Sequence, residues 1–156
     1  MSIIVNRVIS KLLKNNITIA TAESCTGGLV AKTITDYSGV SKIFSEGYIT
    51  YANDIKEKNL GVKHETLEAY GAVSHQVAKE MAEGVRNNAG TYLGVATTGI
   101  AGPTGATKEK PVGLVYVAVS TPTETICRKL RLNGSREKIR YKTVEQLFHL
   151  IDTILK

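Results

Sequence analysis

Four stretches of this sequence carry residue types that could act together. The run Glu23-Ser24-Cys25-Thr26-Gly27-Gly28 sets two hydroxyls and a thiol beside paired glycines. Small residues and glycines let successive backbone N–H groups, here those of Cys25, Thr26, Gly27 and Gly28, face one concavity at a helix N-terminus. Such a concavity suits an anion or a developing oxyanion. A hydroxyl at that place could be a nucleophile, because the same donors stabilise its conjugate base and a tetrahedral intermediate. On these residues alone the plainer reading prevails, that Ser24 or Thr26 simply caps the following helix. Cys25 is a rival nucleophile. The run is not GxSxG, and His64, His75 and His149 are scattered without a spacing that offers a histidine base or a metal ligand set.

A serine without histidine needs another base, and a lysine of depressed pKa can serve. Thr50-Tyr51-Ala52-Asn53-Asp54-Ile55-Lys56 supplies a candidate at the end of an apolar stretch. Lys56 falls one helical turn beyond it, and Tyr51 could relay a proton or orient the pair. The plainer alternative is a solvated helix lysine and a packed tyrosine. The third stretch, Thr97-Thr98-Gly99-Ile100-Ala101-Gly102-Pro103-Thr104-Gly105, crowds glycines after an apolar strand, so its backbone passes close to something. It is not GxxxxGK[ST], which disfavours a generic nucleotide triphosphatase, and a plain glycine-rich turn fits as well as a binding loop. The fourth is basic. Arg140 is in helical register with Val144, Leu147 and Ile151, and Arg136 lies one turn earlier on the same side. A guanidinium drawn inward needs an acid or a bound anion.

The elements that must position these residues follow from periodicity. Ile4, Val5, Val8, Ile9 and Leu12 make an amphipathic first helix. Ile17 to Ala22 reads as a buried strand and Leu29 to Ile34 as a helix. Phe44 to Ala52 reads as a second strand, with Asn53 capping a helix from Asp54 to Leu60. Helices are expected over Glu65 to Tyr70 and from Ser74 to near Gly90. A strand over Tyr92 to Thr98, a hairpin of Gly113 to Thr121 with Glu124 to Leu132, and a last helix capped around Ser135 complete the chain. Strands interspersed with helices predict a single α/β domain over residues 1–156, three-layered α/β/α, with a mixed sheet of about five strands. In such sheets ligands gather beyond the strand ends.

Composition bounds the rest. The 156 residues are 42% hydrophobic and 22% charged, which excludes disordered and fibrous classes. The net charge of +6 is local. Arg128 to Lys142 holds seven basic residues and one acid, and the remainder is balanced. Tyr141 is the only aromatic residue in that window, so a single-strand stacking platform is poorly supported. Charges at Arg7, Lys11 and Lys14 interrupt any signal-peptide core, and the uncharged run Asn87 to Thr107 holds five glycines and a proline, so no membrane span is expected. Two cysteines without CxxC spacing suit a reducing cytoplasm.

The run Ala22-Glu23-Ser24-Cys25-Thr26-Gly27-Gly28 resembles the AESCTGG signature of the CinA C-terminal domain family. Further marks follow in family order: Tyr51-Ala52-Asn53 with Lys56 and Leu60-Gly61-Val62, Tyr70 to Ser74, Thr98 to Gly105, Lys110-Pro111-Val112-Gly113, and Arg136 to Arg140. The resemblance implies a stand-alone, PncC-type nicotinamide mononucleotide deamidase, which hydrolyses the carboxamide to nicotinate mononucleotide and ammonia in pyridine nucleotide salvage. It implies Ser24 as nucleophile, Lys56 as catalytic lysine and Tyr51 as the assisting tyrosine, with no metal and no cofactor. Asn53, Thr98, Gly99 and Gly102 join the signature residues as substrate-binding candidates, and Arg136 with Arg140 as candidates for the 5′-phosphate. Homo-oligomers are implied as well. Longer members carry an N-terminal domain linked to nucleotide pyrophosphate hydrolysis; this chain reaches the signature already at Ala22, so that activity is expected to be missing. Ala106 departs from the family's usual second glycine after Gly105. The competing class is a non-catalytic nucleotide- or nucleic-acid-binding module, motivated by the basic window and the family's link to competence and DNA damage.

Overall fold

The structure, a computed structural model, describes residues 2–156. In chain order the elements are α1 (Ser2–Asn15), β1 (Ile19–Glu23), α2 (Leu29–Thr35), a 3₁₀ turn (Val40–Lys42), β2 (Gly47–Ile49), α3 (Asn53–Leu60), α4 (His64–Tyr70), α5 (His75–Ala89), β3 (Leu93–Gly99), β4 (Leu114–Ser120), β5 (Thr125–Arg131) and α6 (Arg136–Ile154). The apolar stripe expected on α1 is buried along its length. Ser74 and Ser135 cap α5 and α6, their hydroxyls accepting from the amides of Val77 and Lys138 at 3.2 Å.

Two expectations need correcting. The strand expected over Phe44 to Ala52 is only Gly47–Ile49. The Phe44 amide closes the 3₁₀ turn onto Val40, and the pairing with β1 ends where β1 itself ends, at Glu23. Asn53 is not the cap of α3: Ala52 holds that position and Asn53 is the first helical residue.

The sheet order is β2-β1-β3-β4-β5, with β1 parallel to both neighbours and β4 antiparallel to β3 and β5. This is the mixed five-stranded sheet of a three-layer domain. The alternation of strand side chains sorts residues by size. Ile19, Leu93, Val95, Val115, Val117 and Val119 face a core shared with α1, α2 and α6. Ala20, Ala22, Ala96 and Ala118 face the layer of α3, α4 and α5. Each large residue fully buried this way contributes roughly 1.5–3 kcal/mol. The small side works differently, by letting α5 approach closely. A Cβ on Gly94 would collide with the Ala82 carbonyl and Arg86, so only glycine fits.

Topology then fixes the site. β2 lies on one side of β1 and β3 on the other, so the carboxyl ends of all three open on one edge around β1. Gly99 pairs near the start of β4, and Leu114 pairs with the last residue of β5. The link into α6 therefore arrives at the same edge. Chain reversal beside parallel strands leaves a crevice there. No helix among the described residues is long and apolar enough to cross a membrane.

Candidate active site

Lys56 is among the largest fully buried side chains of the described residues, 1% exposed. It lies in the first turn of α3, and helical side chains lean toward the N-terminus, so its amine reaches back to the segment before the helix. Nζ donates to the carbonyls of Thr50 at 2.6 Å and Tyr51 at 3.2 Å, and stands 3.1 Å from the Ser24 hydroxyl. Burial brings its pKa down to about 8. The arrangement is directional. Two carbonyls orient two N–H bonds, so the third tetrahedral position points at Ser24. It holds a proton in the ammonium form and a lone pair in the neutral amine.

Ser24 follows the last residue of β1, and its amide donates to the Thr97 carbonyl at 3.0 Å. The sheet thus continues through the nucleophile candidate. Glu23 supports both partners. Its carbonyl accepts from the Thr50 amide at 2.9 Å, docking the residue that holds Lys56. Its buried carboxylate accepts from the Thr26 hydroxyl at 2.6 Å and from the amides of Gly28, Val30 and Ala31 at 3.2, 2.8 and 3.0 Å. A carboxylate, not a hydroxyl, thus collects the orphan amides at the start of α2. Neither Ser24 nor Thr26 caps that helix.

A cavity of about 330 Å³ opens on this pair. Of the residues singled out in the sequence, Ser24, Cys25, Tyr51, Asn53, Lys56, Thr98, Gly99, Gly102 and Arg136 line it, with Ala72, Val73 and Ile100 giving it apolar walls. Thr26, Gly27, Gly28 and Arg140 stand outside that lining. The Gly27 amide donates to the Ser24 carbonyl, and the Gly28 amide to Glu23, so both are engaged within the turn. Arg140 packs on the signature turn: its Nε and Nη2 donate to the carbonyls of Cys25 and Thr26 at 3.2 and 2.7 Å. Arg136 instead faces the cavity. Nη1 donates to the Gly102 carbonyl at 2.8 Å and Nη2 to the Tyr51 hydroxyl at 2.9 Å.

Two ambiguities of the sequence are resolved by chemistry. Cys25 is buried, and that burial pushes its thiol up to about 12. Its reactive thiolate form is scarce at neutral pH, which favours the Ser24 hydroxyl among the two candidates. Tyr51 meets Lys56 through its main-chain carbonyl, while its hydroxyl meets Arg136. Among the described residues, no group of three or more His, Cys, Asp or Glu side chains is placed to hold a metal ion.

Sequence reasoning passed over Glu23, the Thr50 carbonyl, Thr97, and the turn Ala72–Val73. Glu23 had a signal, being a carboxylate directly between a strand and a glycine turn that leads into a helix. The Thr98 hydroxyl donates to the Ala72 carbonyl at 2.9 Å, which fixes the α4–α5 turn as the far wall; no local pattern announces it.

Fold and site together define an α/β domain with a serine and a buried lysine at the carboxyl edge of a mixed sheet. The chain belongs to the CinA C-terminal domain family, whose match runs over residues 2–155. It is 59% identical over 140 residues to a competence-damage inducible protein of Acetivibrio thermocellus, covering 90% of this chain and 34% of that one. A namesake from Thermoanaerobacter pseudethanolicus is 56% identical over 147 residues, covering 94% and 35%. The chain thus spans about a third of the length of the curated relatives it matches. Among solved structures, the competence/damage inducible protein CihA of Agrobacterium tumefaciens superposes with a TM-score of 0.94 at 38% identity, covering 98% of this chain and 94% of that one. A CinA superfamily protein of Escherichia coli gives 0.89 at 30% identity, covering 97% and 87%. Those names describe a biological setting and state no reaction.

Proposed function

We propose that this domain is a metal-independent amidase that hydrolyses the carboxamide of nicotinamide mononucleotide to nicotinate mononucleotide and ammonia. The observation that carries this reading is the Ser24–Lys56 contact, with the lysine buried, oriented by two carbonyls and brought down to about 8. Neutral Lys56 takes the Ser24 proton as Oγ attacks the amide carbon. The negative oxygen then needs donors, and the backbone amides of the turn after Ser24 are the nearest candidates. As the tetrahedral intermediate collapses, Lys56 returns the proton to the nitrogen and ammonia leaves, giving an ester on Ser24. Water, deprotonated by Lys56, adds to that ester. Its collapse frees the carboxylate and restores the hydroxyl.

The cavity supports a mononucleotide substrate, since about 330 Å³ suits a small ligand and Arg136 offers one anion partner at its rim. The basic window supports this over a polyanion partner. Arg140 is engaged by the signature turn and the Lys142 amine by the Asn133 carbonyl, so part of the window is already turned to the protein's own backbone. As part of the same reading the protein works in a reducing cytoplasm, where Cys25 and Cys127 remain thiols. The test is ammonia release from nicotinamide mononucleotide, set against free nicotinamide and glutamine. Release from the mononucleotide alone, lost in Ser24→Ala and Lys56→Met, is the expected result. Near wild-type turnover in either variant rejects the dyad.

A further inference from the structure

We propose that Lys110 is a latch. Its ammonium ties the loop between β3 and β4 to the turn between α4 and α5, and so holds two walls of the cavity beside Ser24 and Lys56 at a fixed separation. Lys110 is a positioning residue, acting on a ligand through the walls that it joins.

The two walls come from separate parts of the chain. Gly102, Thr104 and Gly105 of the loop line the cavity, and so do Ala72 and Val73 of the turn. At its base the loop is closed by backbone pairing. The Ile100 amide donates to the Leu114 carbonyl at 2.9 Å, and the Gly113 amide to the Ile100 carbonyl at 2.8 Å. Beyond that base Pro103 to Glu109 are all exposed, whereas Lys110 is half-buried. Its Nζ donates to the Tyr70 carbonyl at 2.5 Å, across 40 residues of sequence. Tyr70 ends α4, and the last carbonyls of a helix have no partner within it, so an ammonium suits that place. The turn leaves room for it. A Cβ on Gly71 would stand 2.9 Å from Nζ, so a side chain there would push the lysine off.

Both ends of the latch are braced. On the loop side, the Lys110 amide donates to the Thr107 hydroxyl at 3.1 Å and the Lys110 carbonyl accepts from the Thr107 amide at 2.9 Å. The ammonium therefore holds the exposed segment and not merely itself. Val112, two residues on, packs against Gly102, where an added Cβ would come within 2.5 Å of it. On the other side, the Thr98 hydroxyl donates to the Ala72 carbonyl at 2.9 Å and fixes the turn to β3. Loop and turn thus share the sheet as a frame, and Lys110 closes the frame across the gap. Its bond lies in an exposed setting where water competes for both partners, so it opens without unfolding either wall. With the bond made, a ligand meets walls already in place and spends less of its binding free energy on ordering them.

The test uses Lys110→Met, which keeps the side chain's length and removes its charge, with Lys110→Arg as the conservative variant. Amide hydrogen exchange reads the latch without any turnover. In Lys110→Met the amides of Thr107 and Gly71 should exchange about tenfold faster, while those of Ile100 and Gly113 at the loop's base keep their protection. Unchanged exchange at Thr107 and Gly71 overturns the latch. Faster exchange at all four amides also overturns it, as general loosening. The kinetic readout rests on the proposed amidase. Lys110→Met should raise KM for nicotinamide mononucleotide about tenfold with kcat within about twofold of wild type, and Lys110→Arg should recover most of that loss. An unchanged KM, a fall in kcat at constant KM, or an equal loss in both variants overturns the positioning role. If the wild type releases no ammonia, the proposed substrate fails and the exchange pattern alone decides the latch.

Discussion

At the carboxyl edge of the sheet, Glu23 at the end of β1 and Lys56 just beyond β2 each bury an ionisable group, and the fold treats them in opposite ways. Both are 1% exposed. Glu23 receives four hydrogen bonds, three from backbone amides at the start of α2 and one from Thr26. Together these donors satisfy the carboxylate oxygens at the start of the helix. Lys56 is offered two carbonyls and a hydroxyl and no carboxylate. Neutral dipoles hold an amine in place without replacing the hydration that burial removes, so the ammonium is disfavoured and the free amine becomes accessible. Full satisfaction makes a structural anchor. Orientation without charge compensation suits the base proposed for Lys56.

The sharpest way to break this contrast is at the base. Ser24→Ala and Lys56→Met should each lower kcat by at least about 10³-fold while leaving the circular dichroism spectrum and cooperative unfolding in place. The anchor should behave the other way round. Glu23→Ala strands the buried amide of Val30 and the part-buried amides of Gly28 and Ala31, and unfolding in denaturant should report a loss of about 3 kcal/mol. Loss of activity without loss of stability in that variant would erase the distinction. Arg140→Ala should fall between them. It releases the Cys25 and Thr26 carbonyls and loosens the oxyanion donors, lowering kcat about tenfold with little change in KM for the mononucleotide. A pure KM effect would return Arg140 to the phosphate.

Smaller effects test the lysine's protonation. Rate should rise with pH, one unit of log kcat/KM per pH unit, and level above about 8 as Lys56 loses its proton. Stability carries the same signature. The folded lysine titrates near 8 and the unfolded one near 10.5, so between these values the unfolded chain binds more protons and stability climbs with pH. Below about 8 both states hold the proton and the slope vanishes. In Lys56→Met this lysine-derived part of the rise between pH 8 and 10.5 should be missing from the Tm profile. Last, iodoacetamide at neutral pH should leave both cysteines of the folded protein largely unmodified, since burial raises Cys25 to about 12 and Cys127 to about 11.

Much of the fold was legible because its cues are local. The stripe on α1 and the serine caps of α5 and α6 were read where they occur, and so was the alternation that builds the β4–β5 hairpin. β2 was overestimated because Phe44 to Ala52 is rich in strand formers, whereas strand length is set by the partner, and β1 offers β2 only three paired positions. The two arginines show the same limit. Periodicity placed Arg136 and Arg140 on one side of α6, yet Arg140 braces the signature turn and Arg136 crosses the cavity rim. Helical register states which face a side chain takes, not which acceptor waits there.

The amino-acid sequence by itself determined the layers, the mixed sheet and the family, because periodicity, glycine turns and the AESCTGG run are properties of neighbouring residues. It offered Ser24 and Lys56 as candidates, to which only the family resemblance attached roles. Tertiary structure alone decided that they form one pair. Docking Thr50 on the Glu23 carbonyl sets the first turn of α3 against the end of β1, where a lysine distant in sequence is stripped of water and aimed at the serine. Desolvation and hydrogen-bond direction belong to the packed chain, and those two quantities separate a surface lysine from a base.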